Sequence, residues 1–473
     1  MCWVLFFMEV DMELREYAEL QKDELLETLQ TLIQIPSVRG ETEADAPYGR
    51  KVRECLDAAL ETAERLGFKS CNMDNQVGYC EYGEGEEMVA VLAHLDVVPE
   101  GDGWTVEPYG GIIADGRIYG RGSMDDKGPC TAALYGLKAV REYIEREGKA
   151  PLKRRIRLIF GTNEETGSAD MSYYRAHGGE LPVCGFTPDA EYPVINGEKG
   201  IINEDYVLSY GQSGPVQLLS LRSGGAPNIV PAQTVAELSC PAETAEQICK
   251  MQAEKIRTER TERGVRITAE GLSAHGAFPQ DGENAIGRLM IFLKKLPLST
   301  EKLAEGIRFV AEKLGMETDG TALGIAMTDE PSGALTLNLG VAEGDAHALT
   351  LRLNYRYPVT KCYEDCEPKL REAFETVGFT MKNQLHKASL YVAADQEPVK
   401  TLLSVYTEMT GLPGEAKSIG GGTYAKCIPN TVAFGPIFPG DVVREHKPDE
   451  YMEIERLVQN TQIYAEAMYR LAK

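Results

Sequence analysis

The sequence predicts an α/β protein whose main domain is interrupted along the chain by a second, α+β domain. Three observations carry this. Short apolar runs at 88–93 and 156–160 alternate with helical stretches in the first part of the chain, the texture of a sheet buried between helices. From about Tyr192 the pattern turns to period two, with Leu335, Leu337 and Leu339, then Leu349, Leu351, Leu353, Tyr355 and Tyr357, alternating with polar neighbours, as in antiparallel strands covered on one face. The first texture returns near Val399. The boundaries follow as 1–192, 193–394 and 395–473, within a 473-residue chain long enough for two or three domains of roughly 100–200 residues.

Element by element, 14–35 has apolar residues at helical spacing (Leu25, Leu29, Leu32, Ile33) and ends at Pro36. A second helix is expected over 50–66. The strand at 88–93 is followed by a helix over 129–145 and the strand at 156–160. Within the inserted region, helices are expected at 285–296 and 363–377, and a long amphipathic helix over 451–471 closes the chain.

Composition excludes some functions. Lys and Arg number 49 against 73 Asp and Glu, a net charge of -24, so nucleic acid and anionic membrane are poor partners. The apolar runs fall short of the roughly 20 residues a membrane span needs. Hydrophobic content of 43% with 26% charged residues is ordinary for a globular protein. Eleven scattered cysteines without a C-x-x-C read as reduced thiols in a cytoplasmic protein. The apolar start at 1–8 lacks the basic region and cleavage site of a signal peptide, and Met8 or Met12 is expected as the true first residue.

Candidate chemistry gathers at strand ends. His94 and Asp96 follow the run at 88–93; two apart on a continuing strand, they share a face. By itself this pair reads first as a hydrogen-bonded histidine at a strand end, since a metal site needs further ligands. The loop Gly120-Arg121-Gly122-Ser123-Met124-Asp125-Asp126-Lys127-Gly128-Pro129 precedes a helix. One of its aspartates could offer an oxygen to each of two cations, or could cap that helix. Glu164 and Glu165 follow the strand at 156–160; they make either a solvated turn or, beside cations, a ligand and a base. Asp189 and His446 complete a nitrogen and oxygen donor set. His177, His347 and His386 have no comparable setting.

These blocks, A-H-L-D-V-V-P, G-R-G-S-M-D-D-K-G-P, G-T-N-E-E-T-G-S, F-T-P-D-A-E-Y-P, S-A-H-G, G-G-G-T-Y-A and H-K-P-D-E, run in order from Ala93 to Glu450. The chain thereby resembles the di-zinc metallopeptidases that include aminoacylases, glutamate carboxypeptidases and carnosinases, and within them the bacterial dipeptidase V (Xaa-His dipeptidase) group. The resemblance implies a discontinuous di-zinc exopeptidase catalytic domain, with a mixed sheet between helices, and an inserted α+β lid domain of two lobes. It implies one zinc held by His94, Asp125 and Asp189 and another by Asp125, Glu165 and His446, with Mn2+ or Co2+ as possible substitutes.

Asp96 is implied to orient His94, and Glu164 to be the general base acting on water between the ions. The Asp125–Asp126 peptide is implied to be cis. From the inserted region His275 is implied to stabilise the oxyanion, with Asn228 and Arg356 contacting substrate, Arg356 through its C-terminal carboxylate. Gly422 and Thr423 complete the expected substrate contacts. The implied reaction is hydrolysis of unblocked dipeptides by a monomer, with N-acyl amino-acid or succinyl-diaminopimelate deacylation as the alternative on the same site. Lys426 and the stretch 277–280 depart from the family pattern, leaving a local charge contact and side-chain specificity open.

Overall fold

The structure is a computed structural model describing residues 12–211 and 213–473. The apolar start at 1–8 lies outside the described residues. The chain divides into two compact units. One runs to Asn196 and adds Val392–Lys417 and Gly422–Lys473; the other is Gly197–Tyr391 with Ser418–Gly421.

The first unit is built on a mixed sheet in the order Lys69–Met73, Val77–Tyr82, Arg155–Gly161, Met88–His94, Cys184–Thr187, Thr431–Ala433. The first three strands are joined antiparallel. From Arg155–Gly161 onward the neighbours are parallel. Every residue of Met88–His94 is buried, which is why its sequence is continuously apolar instead of alternating. Its two faces serve different cores. Val89, Val91 and Ala93 join a cluster with helices Lys127–Arg146 and Ile454–Ala472, whereas Met88, Ala90 and Leu92 pack with Met171, Tyr174 and Tyr424. Each fully buried Val or Leu contributes about 1.5–3 kcal/mol relative to exposure.

Three expected helices end differently. The stretch 14–35 forms two, Leu14–Glu19 and Lys22–Ile33. Gln21 Nε2 donates to the Tyr17 carbonyl, and the Gln21 backbone N–H bonds Ala18 instead of Tyr17, so the helical ladder breaks there. Residues 451–453 are not helical. Tyr451–Glu453 is a strand antiparallel to Arg117–Tyr119, where Arg117 lies 4.2 Å above the Tyr451 ring; the helix starts at Ile454. In 363–377, a 3-10 turn Tyr363–Asp365 precedes the helix Glu367–Thr376, whose first turn holds Pro368, a position where the missing N–H costs nothing.

The second unit is one eight-stranded antiparallel sheet: Ile256–Arg260, Gly264–Glu270, Gln233–Ser239, Gln217–Ser223, Thr336–Gly344, Ala348–Tyr357, Gly200–Ser209, Thr380–Lys387. The alternating Leu349, Leu351, Leu353, Tyr355 and Tyr357 all face one core with residues of helices Ala285–Leu293, Glu301–Lys313 and Glu367–Thr376. No helix among the described residues is long and apolar enough to cross a membrane. The described cysteines are free thiols.

Candidate active site

Because Arg155–Gly161, Met88–His94 and Cys184–Thr187 are adjacent and parallel, their carboxyl ends open on one side of the sheet, where open α/β sheets bind ligands. His94 ends the central strand. Glu164 and Glu165 follow one neighbour and Asp189 the other.

His94 is 1% exposed. Its Nδ1 lies 2.9 Å from the Asp96 carbonyl oxygen, an arrangement suited to an Nδ1–H donor, leaving Nε2 as the ligating atom. Nε2 is 3.0 Å from Asp125 Oδ1 and 3.9 Å from Asp189 Oδ2. The Asp96 carboxylate stands farther from Nδ1, at 3.5 Å. Its two oxygens accept the backbone N–H groups of Glu164 and Glu165 at 3.1 and 3.2 Å. Asp96 thus holds His94 mainly through its main chain and the paired glutamates through its side chain.

The aspartates of the 120–126 loop part company. Asp126 occupies the N-cap position of helix Lys127–Arg146, but its side chain makes no capping bond; instead Oδ2 accepts the His94 N–H at 2.9 Å. The Asp125–Asp126 peptide is cis. Asp125 turns toward both histidines, Oδ1 to His94 and Oδ2 to His446 Nε2 at 2.9 Å. His446 Nε2 is also 3.0 Å from Glu165 Oε1. Ligand atoms of His94, Glu164 and Asp189 lie within 4.8 Å of one another, as do those of His94, Asp125 and Glu165.

The electrostatics are those of a site with too many acids. Burial, reinforced by the charges of Glu165, Asp96 and Asp125 against the opposing His94, pushes the Glu164 carboxyl up to about 8. Burial and the Asp125 charge raise Asp189 well above the usual carboxylate range. Burial also opposes ionisation of Asp125, yet hydrogen bonds from the two imidazoles hold it below that range. The same contacts, to Asp125 and Glu165, push His446 up to about 11. Among the described residues no Lys or Arg forms an ion pair with Asp125, Glu164, Glu165 or Asp189. Buried charge needs compensation, and carboxylate and imidazole donors without a competing cationic side chain are the donors divalent ions take. The residues therefore fit a metal centre.

Two residues that the sequence did not single out support it from below. The buried Asp170 carboxylate accepts the N–H groups of Thr162 and Asn163, at 2.7 and 3.1 Å, and the Tyr424 hydroxyl. The Tyr424 ring meets His94 edge-on at 6.1 Å and packs so closely on Gly161 that a Cβ there would collide with it. Tyr424 stood within the G-G-G-T-Y-A block, but nothing in its spacing marks a partner at Asp170.

Gly422 and Thr423 belong to the same unit. Thr423 Oγ1 accepts the Ala425 N–H at 3.1 Å and caps the turn Tyr424–Lys426. A Cβ on Gly422 would stand 3.2 Å from Lys426 Nζ. Asn228, His275 and Arg356 belong to the second unit. There the Asn228 carbonyl accepts the Gly276 N–H at 2.7 Å, and Ile229 bridges His275, so these segments lie side by side. Burial, then the Arg356 charge, keeps His275 below the ordinary imidazole value. Arg356 is 4% exposed; it donates to Asn354 Oδ1 at 3.3 Å and to the Gly420 carbonyl.

A mixed sheet with His94, the paired glutamates and Asp189 after its strand ends, and loops that bring Asp125 and His446 beside them, defines a candidate metal centre of an α/β protein. Residues 90–470 match peptidase family M20/M25/M40. A Bacillus subtilis (strain 168) protein named "Putative dipeptidase YtjP" is 39% identical over 471 residues, covering 96% of this chain and 98% of its own. A Staphylococcus epidermidis protein with the name "Putative dipeptidase" is 34% identical, covering 95% and 97%. The fold is shared with aminoacylhistidine dipeptidase from Vibrio alginolyticus (TM-score 0.57, 14% identity, 95% of this chain and 96% of that one). It is shared also with human carnosine dipeptidase 1 (0.56, 16%, 97% and 98%). The chain belongs to peptidase family M20/M25/M40 and is a metallopeptidase.

Proposed function

We propose that the protein is a dipeptidase that hydrolyses unblocked dipeptides with two zinc ions. The observation that carries this is Asp125, whose two carboxylate oxygens each face a different imidazole, His94 and His446, as a residue shared by two cations must. His94, Asp125 and Asp189 would hold one ion, and Asp125, Glu165 and His446 the other. The ions, when bound, supply Lewis acidity toward the scissile carbonyl and make water acidic enough to attack at neutral pH.

The chain's own groups do the rest. Glu164, which is not assigned as a ligand, takes a proton from the attacking water as the new C–O bond forms. It then delivers that proton to the amine nitrogen as the C–N bond breaks. Asp96 steadies Glu164 and Glu165 through their N–H groups. His275, in the second unit, is assigned to the oxyanion and Arg356 to the substrate's free carboxylate, with Asn228, Gly422 and Thr423 as further substrate contacts. The unit carrying these strand-end acids is read as the catalytic domain and the inserted unit as its lid, in a cytoplasmic monomer. The relatives' names support dipeptides as substrates.

The test is a panel of dipeptides, including Xaa-His and β-alanyl-histidine, against N-acetyl and N-succinyl amino acids, each with zinc and with manganese. Dipeptide hydrolysis that E164A abolishes while metal content stays at two ions is expected. Turnover of the acyl substrates alone, or full activity in E164A, overturns the proposal.

A further inference from the structure

We infer that Glu450 is a positioning residue of the metal site, acting through Asp125 and His446. The Glu450 side chain is wholly buried. Its Oε1 accepts three backbone N–H groups from one loop, those of Gly122, Met124 and Asp125, at 3.0, 2.9 and 3.2 Å. Its Oε2 pairs with Arg121, 1% exposed. The main chain joins in, the Glu450 carbonyl accepting the Gly120 N–H at 2.9 Å. Four of the six amides from Gly120 to Asp125 are therefore directed at one residue, while those of Arg121 and Ser123 bond the Pro108 and Gly120 carbonyls.

That residue follows His446 by four positions in the chain. Arg121 grips the same segment, donating to the Lys447 carbonyl at 3.4 Å, and reaches the Glu100 carbonyl at 3.1 Å, in the loop that leaves Asp96. Asp449 anchors the segment a second time, accepting the Thr105 N–H and hydroxyl at 2.8 and 2.9 Å. Three stretches of chain, those bearing His94 and Asp96, Asp125, and His446, thus meet at the Arg121–Glu450 pair.

The chemistry explains the choice of residue. Gly122, at φ 89, lets the loop turn its amides inward, and converging N–H groups make an anion site. An internal carboxylate satisfies three donors at once, and Arg121 offsets its charge; a neutral side chain leaves Arg121 buried without its counter-charge. Each bond sets where the Asp125 backbone sits, and through it the two oxygens that face His94 and His446.

The inference rests on the reading of this site as a dinuclear metal centre. Zinc affinity is measured at fixed pH by competition with a chromophoric chelator, and the visible spectrum is recorded after loading with Co2+. Unaltered protein, E450Q and E450D are compared, each checked for folding by circular dichroism. E450Q is expected to bind zinc about 10- to 100-fold more weakly, the usual effect of removing a group that orients metal ligands. Its cobalt bands should shift, and at saturating metal kcat should fall with KM within about twofold, since the substrate's own contacts are untouched. E450D keeps the charge opposite Arg121 and loses one methylene of reach, so it carries the same measurements, with a smaller loss, if E450Q is not recovered folded. Zinc affinity within twofold of the unaltered protein and an unshifted cobalt spectrum in a folded variant overturn the inference. Failure of the unaltered protein to take up metal instead overturns the dinuclear reading.

Discussion

Tyr424→Phe probes the floor of the site without touching a proposed ligand. The ring stays, filling the space beside Gly161 and His94; only the hydroxyl that donates to Asp170 is lost. A hydrogen bond to a buried charged group is worth about 1.5–3 kcal/mol, so that is the expected loss where Asp170 is ionised. The pH dependence follows from Asp170. Burial raises its carboxyl from 3.8 to about 6, while the Tyr424 hydroxyl works to lower it.

A carboxyl raised on folding makes the native state bind protons more tightly, so its favourable contribution is complete below about 3.8 and is lost as pH rises toward 6. Without the hydroxyl the Asp170 pKa climbs further. The variant's penalty is therefore full above that higher pKa and shrinks as pH falls through it and then through about 6. Urea unfolding of both proteins at pH 8.5 and near pH 5, roughly bracketing that range, measures the difference. A penalty under about 0.5 kcal/mol at the higher pH, well below the charged-bond range, or one of equal size at both, refutes the reasoning.

Other expectations follow from the proposed function. Arg356→Lys keeps a charge but loses the planar fork, and should raise KM for dipeptides roughly 10- to 100-fold, with little effect on substrates amidated at the C-terminus; steady-state kinetics on the pair decides it. His275→Ala should lower kcat about 100- to 1,000-fold with zinc affinity unchanged, the scale of one lost oxyanion donor, read from kinetics and metal titration together. Chelation should lower the melting temperature, and free zinc at about 100 times Kd should restore about 2.7 kcal/mol of stability. Calorimetry with and without chelator measures this, and identical melting curves argue against a metal site.

Local pattern made much of the site legible. His94, Glu164 and Glu165 could be placed at strand ends because they follow the apolar runs at 88–93 and 156–160, and hydrophobic periodicity is a property of neighbouring residues; Asp189 follows no such run and entered only as a residue that completes the donor set. Resemblance supplied His446, for which spacing alone offered no reason. Residues 451–453 show the limit: Tyr451 and Met452 continue a helical pattern, yet their pairing with Arg117–Tyr119 makes them a strand. The Asp170–Tyr424 bond spans 254 positions and the Glu450 bonds to the 120–126 loop more than 320, distances at which no periodicity operates.

The sequence by itself determined the buried strands at 88–93 and 156–160 and most of the long helices, which residues bear ligand chemistry, and that a differently patterned region interrupts the first. Only the tertiary structure decided that Met88–His94 lies between Arg155–Gly161 and Cys184–Thr187, both parallel to it. That order brings three strand ends to one side, turns the Asp96 carboxylate toward two glutamate amides, and gathers three loops on the Arg121–Glu450 pair. The reason is physical: side-chain pattern specifies which face of an element is buried, whereas strand order and loop anchorage are set by hydrogen bonds and buried ion pairs between residues from tens to hundreds of positions apart.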